Sequence, residues 1–305
     1  MTRPLAGVMA PAVTPFAADG ALARDAFVHA VRAHVAAGLH GVIVAGSSGE
    51  AALLDEGERR EVLAAARAVV PADRWLIAGV GGESTRVTIQ RTRVAADAGA
   101  DAVLVVSPHY YGKRMTEAAL LAHFGAVADA SPLPVLLYNI PVYAHLVLSP
   151  ALVARLARHP NVVGMKDSAG DLPTLERYLD AQDEHFRVLT GHGGSFAQAV
   201  ARGVSGGILA VSLFAPALTL AVWEAARRGD VAEAEALQVR LLPLARDIVA
   251  ALGPAGLKGA MALVGLEAGV PRAPLLALDA DERAAVRAAL AGAGVPLADD
   301  ALVPA

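Results

Sequence analysis

Val162-Val163-Gly164-Met165-Lys166-Asp167-Ser168 runs from four apolar residues directly into three polar ones. A short run rich in β-branched residues is the pattern of a strand buried on both faces, as in a parallel sheet. Seven further runs share this character: Gly7–Val13, Gly41–Ala45, Trp75–Val80, Ala102–Val106, Val135–Tyr138, Phe186–Leu189 and Gly207–Val211. Helix signals lie between them. Asp55 stands three residues before Glu58 as a capping box, Ser149-Pro150 and Thr116-Glu117 open two more helices, and Gly38 and Gly99 close two others. Eight strand–helix alternations point to a closed (β/α)8, or TIM, barrel. An open doubly wound sheet usually has fewer strands and a glycine fingerprint after the first, whereas here the first run leads into Thr14-Pro15-Phe16.

Strand signals stop after Phe214. Helical spacing continues through Leu218–Arg228, Val231–Leu252 and Leu257–Leu266. The expected organisation is a catalytic barrel over 1–214 and a C-terminal α-helical domain over 215–305. With 305 residues, 55% of them hydrophobic, the chain can bury a large core without cross-links. It has no cysteine, which excludes disulfides, thiolate metal sites and cysteine nucleophiles and suits a cytoplasmic protein. Thirty acidic against 26 basic residues leave no basic stripe for nucleic acid. No apolar stretch reaches the ~18 residues of a membrane span. The opening MTRPLAGVMAPAVTPF is broken by prolines and reads as the first strand, not as a signal peptide.

Catalytic groups of such barrels sit where the strands end. The polar residues there are Thr14; Ser47-Ser48 between Gly46 and Gly49-Glu50; Ser107 through Tyr111; Tyr138-Asn139; Lys166-Asp167-Ser168; Gly191-His192; and Ser212. Lys166 is the sharpest candidate, as one of only three lysines beside Lys113 and Lys258. At the top of a barrel it loses hydration, which favours the free amine and makes it a nucleophile for ketones. The competing reading is an ion pair with Asp167 or Glu50. Tyr138, ending the neighbouring strand, can shuttle protons beside such a lysine, or simply be a rim aromatic. Ser47 and Ser48 offer hydroxyls and backbone N–H groups to a carboxylate or oxyanion. Glu50 replaces the last glycine of a nucleophile elbow, which disfavours a serine hydrolase. Gly191-His192-Gly193-Gly194 has no basic neighbour for a phosphate, and the nine histidines show no metal spacing. The segment around Arg59-Arg60-Glu61 reads as a solvated helix face.

Together these positions resemble the dihydrodipicolinate synthase/N-acetylneuraminate lyase family of Schiff-base aldolases. The resemblance rests on Ala10 through Phe16, Gly46-Ser47-Ser48-Gly49-Glu50, Tyr138-Asn139-Ile140-Pro141 and Gly164-Met165-Lys166-Asp167-Ser168. It implies a TIM barrel with a C-terminal helical domain, and an enzyme that takes pyruvate and an aldehyde without metal or cofactor. By the same resemblance Lys166 is the Schiff-base lysine and Tyr138 the proton-transfer tyrosine. Ser47 and Ser48 form the hydroxyl pair for the keto-acid carboxylate, and Ser48 extends the proton relay. Tyr111, or Tyr110 as second choice, is the tyrosine contributed across a dimer interface. Ile208 faces the pyruvyl group, and Ser168, Tyr143 and His192 line the substrate pocket, with His145 beside Tyr143. The family implies a homo-oligomer, commonly a dimer of dimers.

Within the family, dihydrodipicolinate synthases carry an arginine two residues after the proline of the Y-N-x-P motif. Tyr143 stands there, and a tyrosine cannot grip a carboxylate bidentately. The family's lysine-feedback positions hold Ala51, Glu56, Arg59 and Glu83, which do not match. Tyr110 through Met115, Ala128 through Pro132, His159 through Ser168, Gly256-Leu257-Lys258 and Pro271 through Leu275 are more similar to the 4-hydroxy-2-oxoglutarate aldolase branch. The expected reaction is cleavage or formation of a 4-hydroxy-2-keto acid. The alternatives are dihydrodipicolinate synthase and a keto-deoxy sugar acid aldolase or dehydratase.

Overall fold

In a computed structural model that describes residues 3–298, the eight runs become eight strands: β1 (Gly7–Pro11), β2 (Gly41–Val44), β3 (Trp75–Gly79), β4 (Ala102–Val106), β5 (Val135–Asn139), β6 (Val162–Asp167), β7 (Arg187–Thr190) and β8 (Gly206–Ile208). They pair in sequence order, all parallel, and β8 closes on β1. Around them lie α1 (Arg24–Ala36), α2 (Glu56–Arg67), α3 (Thr85–Asp97), α4 (Glu117–Ala130), the short α5 (Pro141–Ala144), α6 (Pro150–Leu156), α7 (Leu172–Leu179), α8 (Phe196–Ala201) and α9 (Pro216–Arg227). The helices α10 (Val231–Pro243), α11 (Ala251–Leu263) and α12 (Ala280–Gly292) follow. Residues 299–305 of the expected C-terminal extension lie outside the described residues. Among those described, no helix is long and apolar enough to cross a membrane.

Local signals explain the helix ends. Asp55 Oδ1 accepts Glu58 N–H at 2.8 Å while Glu58 Oε2 accepts Asp55 N–H at 3.0 Å, the reciprocal capping box. Ser149 and Thr116 cap α6 and α4 in the same way from one side. The helix expected over Val231–Leu252 departs from the pattern. It passes through a π-helical segment, Leu244–Ala250, and then breaks at Gly253, whose φ of 53° and ψ of −139° precede Pro254. Proline removes a backbone donor and clashes with the preceding turn, so the helix has to bend there. The run expected over Leu257–Leu266 ends at Leu263, within α11. The expected solvated face around Arg59 is corrected as well. Its guanidinium folds inward onto the carbonyls of Ala51 and Gly79, and burial lowers its pKa to about 10.

Two apolar layers follow from the period-2 alternation of strands. Met9, Ile43, Ile77, Leu104, Leu136, Leu189 and Ile208 fill the barrel interior, while Val8, Val42, Leu76 and Val103 face the helices. One irregularity matters for function. Val135 pairs with Val162 but Leu136 pairs with Gly164, so β6 carries one extra residue, Val163, at a bulge. Val162 packs in the outer layer, and strict alternation from it would send Lys166 outward. The bulge reverses the phase: Met165 joins the outer layer and Lys166 turns inward opposite Tyr138.

Candidate active site

Lys166 lies inside β6, in register with Tyr138 on β5. It is 6% exposed, and its Nζ donates to Tyr138 Oη at 3.2 Å, 4.4 Å from the centre of the phenol ring. Neither expected ion pair forms. Asp167 points the other way, where its carboxylate accepts Asn139 Nδ2 at 2.7 Å and Ala169 N–H at 3.3 Å. Burial raises the Asp167 pKa, with the Asn139 hydrogen bond opposing the shift. Asn139 Oδ1 in turn accepts Leu148 N–H at 3.0 Å, so these two residues tie β5 and β6 together behind the wall. Glu50 is occupied by Lys258, as described below. Lys166 is thus an amine with no carboxylate partner among the described residues, next to a phenol, at the C-terminal end of the barrel.

Gly191, at the end of β7, is the residue that makes room for this amine. A Cβ at that position would sit 2.0 Å from Ser168 Oγ and 2.6 Å from Lys166 Cε. The same contact shows that Ser168 stands beside the lysine stem. The neighbouring His192 ring lies against Gly170, where a Cβ would meet it at 2.8 Å, and its Nδ1 is 2.8 Å from Ser195 Oγ. Burial lowers the His192 pKa, which favours the neutral imidazole. Tyr143, on α5, is raised by burial and by the nearby Tyr138, and its hydroxyl approaches the Gly253 break. Ile208 is fully buried in the interior layer that also contains Tyr138.

The serine turn belongs to the same rim but makes no hydrogen bond to Lys166 or Tyr138. Ser47–Gly49 form a single 3-10 turn after β2, with both serines half-buried. Thr14 Oγ1 donates to Gly49 O at 2.7 Å, which ties the turn to the segment that follows β1. Tyr111 is 68% exposed and stacks edge-on with Tyr110 at 5.0 Å. Within one chain it makes no hydrogen bond or ring contact with Lys166, Tyr138, Ser47 or Ser48. Ser212 is not a rim group. The eighth strand ends at Ile208, and Ser212 Oγ turns back onto Leu209 O at 2.7 Å inside a buried 3-10 turn.

Chemistry elsewhere is not supported by comparable geometry. A cavity of about 530 Å³ lies outside the barrel between α1, α9 and residues 294–296. Its two titratable lining residues are already committed to carbonyls, His34 to Leu213 O and Arg240 to Ala293 O. No cluster of potential metal ligands occurs among the described residues.

Residues 4–293 match the Dihydrodipicolinate synthetase family. The chain belongs to that family. It is 34% identical over 284 residues to a 4-hydroxy-tetrahydrodipicolinate synthase of Exiguobacterium, covering 93% of this chain and 96% of the relative. It is 40% identical over 295 residues to an uncharacterized DapA-like lyase of Halobacterium salinarum, covering 95% of each. Among solved structures, the dihydrodipicolinate synthase of Acinetobacter baumannii in complex with pyruvate superposes with a TM-score of 0.91 at 31% identity, over 96% of this chain and all of that one. The E. coli prophage protein YagE, also solved with pyruvate, gives 0.89 at 30% identity over 96% and 99% of the two chains. As a member of this family the protein is a lyase of the class I aldolase type.

Sequence reading missed the place of Gly191 beside Lys166 and the partner of Glu50. Gly191 ends an apolar run, as many structural glycines do, and only the folded register shows what it faces. Lys258 was legible as one of three lysines, sitting in an apolar helical stretch where a charge needs a partner. Its Nζ lies 2.6 Å from Glu50 Oε1, both side chains are shielded from solvent, and burial lowers the lysine pKa to about 8 against the opposing pull of Glu50.

Proposed function

We propose that this lyase cleaves, or in reverse forms, a 4-hydroxy-2-keto acid of the 4-hydroxy-2-oxoglutarate type through a Schiff base on Lys166, with pyruvate as the keto-acid product. The observation that carries this reading is the buried Lys166 amine, free of carboxylates and 3.2 Å from the Tyr138 hydroxyl. Nζ adds to the C2 carbonyl, and the carbonyl oxygen takes up a proton to give a carbinolamine. Tyr138 delivers the proton that lets this hydroxyl leave as water, which generates the iminium. The C3–C4 bond then breaks, its electron pair flows into the iminium to form an enamine, and the C4 hydroxyl loses its proton as the aldehyde departs. Protonation of the enamine at C3 and addition of water release pyruvate and restore the amine.

In this reading Ser47 and Ser48 hold the keto-acid carboxylate, and Ser48 passes protons to Tyr138. Ile208 and Ser168 border the pyruvyl group, while Tyr143 and His192 border the aldehyde. Tyr111 completes the relay from a second copy. Its exposure, together with that of Tyr110, Val142 and Val147, leaves an apolar surface suited to a homo-oligomer, as in a dimer of dimers. The pyruvate complexes of two similar structures support the keto acid. The names of several relatives favour a second reading, 4-hydroxy-tetrahydrodipicolinate synthase. Tyr143, in place of a cationic grip, favours the first.

Borohydride reduction in the presence of pyruvate tests the core of the proposal. A carboxyethyl group on Lys166, absent in Lys166→Ala, is expected, and no adduct at all would end it. Glyoxylate and aspartate semialdehyde, compared as partners for pyruvate consumption, separate the two readings. Mixing inactive Lys166→Ala chains with Tyr111→Phe chains is expected to restore part of the activity, because a mixed dimer carries one complete site.

A further inference from the structure

The buried ion pair Glu50–Lys258 takes no part in the chemistry above, yet it is attached to the serine turn. Glu50 follows Ser47-Ser48-Gly49 directly and has a left-handed backbone, φ 53°. A residue with a Cβ holds that conformation only where its surroundings fix it. Both carboxylate oxygens are held: Oε1 lies 2.6 Å from Lys258 Nζ, and Oε2 accepts Arg272 N–H at 2.8 Å. Lys258 comes from α11, and its Nζ also donates to Val270 O at 2.7 Å and lies 4.6 Å from the Phe16 ring centre. Arg272 packs on the same ring at 4.0 Å and pairs with Glu58 of α2, the helix that follows the turn.

Removing two charges from water is expensive, and an apolar contact of similar volume would join α11 to the barrel at least as tightly. What the ion pair adds is direction. It fixes the carboxylate to within a hydrogen-bond length, and through it the backbone angles of the residue adjoining Ser47-Ser48-Gly49. We infer that Glu50 and Lys258 are a positioning pair that aims the Ser47 and Ser48 hydroxyls at the keto-acid carboxylate, so that the C-terminal helices set the affinity of a site built from barrel residues. This rests on the role given to the two serines under the proposed function.

The test uses the full chain and pyruvate as the probe. The pyruvate concentration that gives half-maximal borohydride adduct is measured for wild type, Lys258→Met, and the double variant Glu50→Gln/Lys258→Met. Lys258→Met strands a buried carboxylate and is expected to lose stability as well as affinity. The double variant strands no charge, so it is the decisive protein if the single one does not fold. Both are expected to need about ten- to a hundred-fold more pyruvate, with the full adduct yield still reached at saturation. In the double variant thermal stability recovers but affinity does not. Half-saturation within about two-fold of wild type in a folded variant, or affinity that recovers together with stability, overturns the positioning role and leaves a purely structural ion pair. Ser47→Ala/Ser48→Ala serves as the control. Should that variant bind pyruvate normally, the serine assignment is at fault, and an absent adduct in wild type would fault the Schiff-base reading instead.

Discussion

Tyr138→Phe isolates one oxygen atom. The hydroxyl is a single hydrogen-bond length, 3.2 Å, from Lys166 Nζ, and the ring beneath it is buried among Leu136, Ile140 and Ala144. Phenylalanine keeps that packing and removes only the hydroxyl proposed to carry the proton. General acid–base groups typically contribute about 10²- to 10⁴-fold. At 1.36 kcal/mol per decade this corresponds to roughly 3–5 kcal/mol of barrier. The cost to stability is smaller. Lys166 loses its one described hydrogen-bond partner, a loss on the order of 1–3 kcal/mol, which a chain of this size registers as a few degrees of melting temperature. The assay is pyruvate release under saturating substrate, run beside borohydride trapping with time. Turnover is expected to fall within the range above, while adduct on Lys166 forms slowly but to the same final extent. Turnover within about three-fold of wild type would refute the assignment, because a proton path worth several decades cannot be removed so cheaply.

Three other outcomes follow from the geometry. Gly191→Ala places a methyl 2.6 Å from Lys166 Cε and 2.0 Å from Ser168 Oγ, so the lysine must shift. A loss of about 10²-fold in turnover with an unchanged circular dichroism spectrum is expected. Asn139→Ala strips the Asp167 carboxylate of its side-chain donor and Leu148 N–H of its acceptor, and urea melts are expected to show a loss of about 1–3 kcal/mol. Because burial already raises the Asp167 pKa, that loss shrinks as pH falls and the carboxyl takes up a proton. His34 is buried with its pKa lowered below 6.5 by desolvation, so its contribution to stability is complete above pH 6.5 and is lost as pH falls toward the folded-state pKa. In His34→Gln, denaturation between pH 7.5 and 5 is expected to show a slope shallower by up to about 1.4 kcal/mol per pH unit, and an unchanged slope would mean that His34 does not titrate with unfolding.

The fold was legible because each strand of a barrel is buried on both faces and announces itself as an apolar run. Gly41–Val44 and Ala102–Val106 could be read to within a residue. The eighth strand was read too long, since Leu209 through Leu213 are as apolar as a strand but curl into a 3-10 turn that Ser212 closes on Leu209 O. Lys166 and Tyr138 could be picked out as candidates from their position at strand ends, and the structure places them in hydrogen-bond contact. The partners of Glu50 could not. Lys258 and Arg272 lie more than two hundred residues away, and nothing local distinguishes their pairing from the Lys166–Glu50 pair that the sequence equally allows. Arg59 was misread for a related reason: carbonyls that draw a guanidinium inward leave no trace in a helical charge pattern.

The inward direction of Lys166 is the feature that strand periodicity alone would have assigned wrongly. With Val162 in the outer layer, an unbroken period of two carries Met165 into the barrel and Lys166 out among the helices. There the amine would stand where the Asn139–Asp167 pair now stitches β5 to β6, and no phenol would face it. Adding Val163 as a bulge shifts every later residue of β6 by one face. Lysine meets tyrosine inside and aspartate meets asparagine outside, so one row of the sheet carries the candidate site while the adjacent row ties the two strands together. The inward direction of Lys166 therefore depends on a single inserted residue, Val163, placed three positions upstream of it.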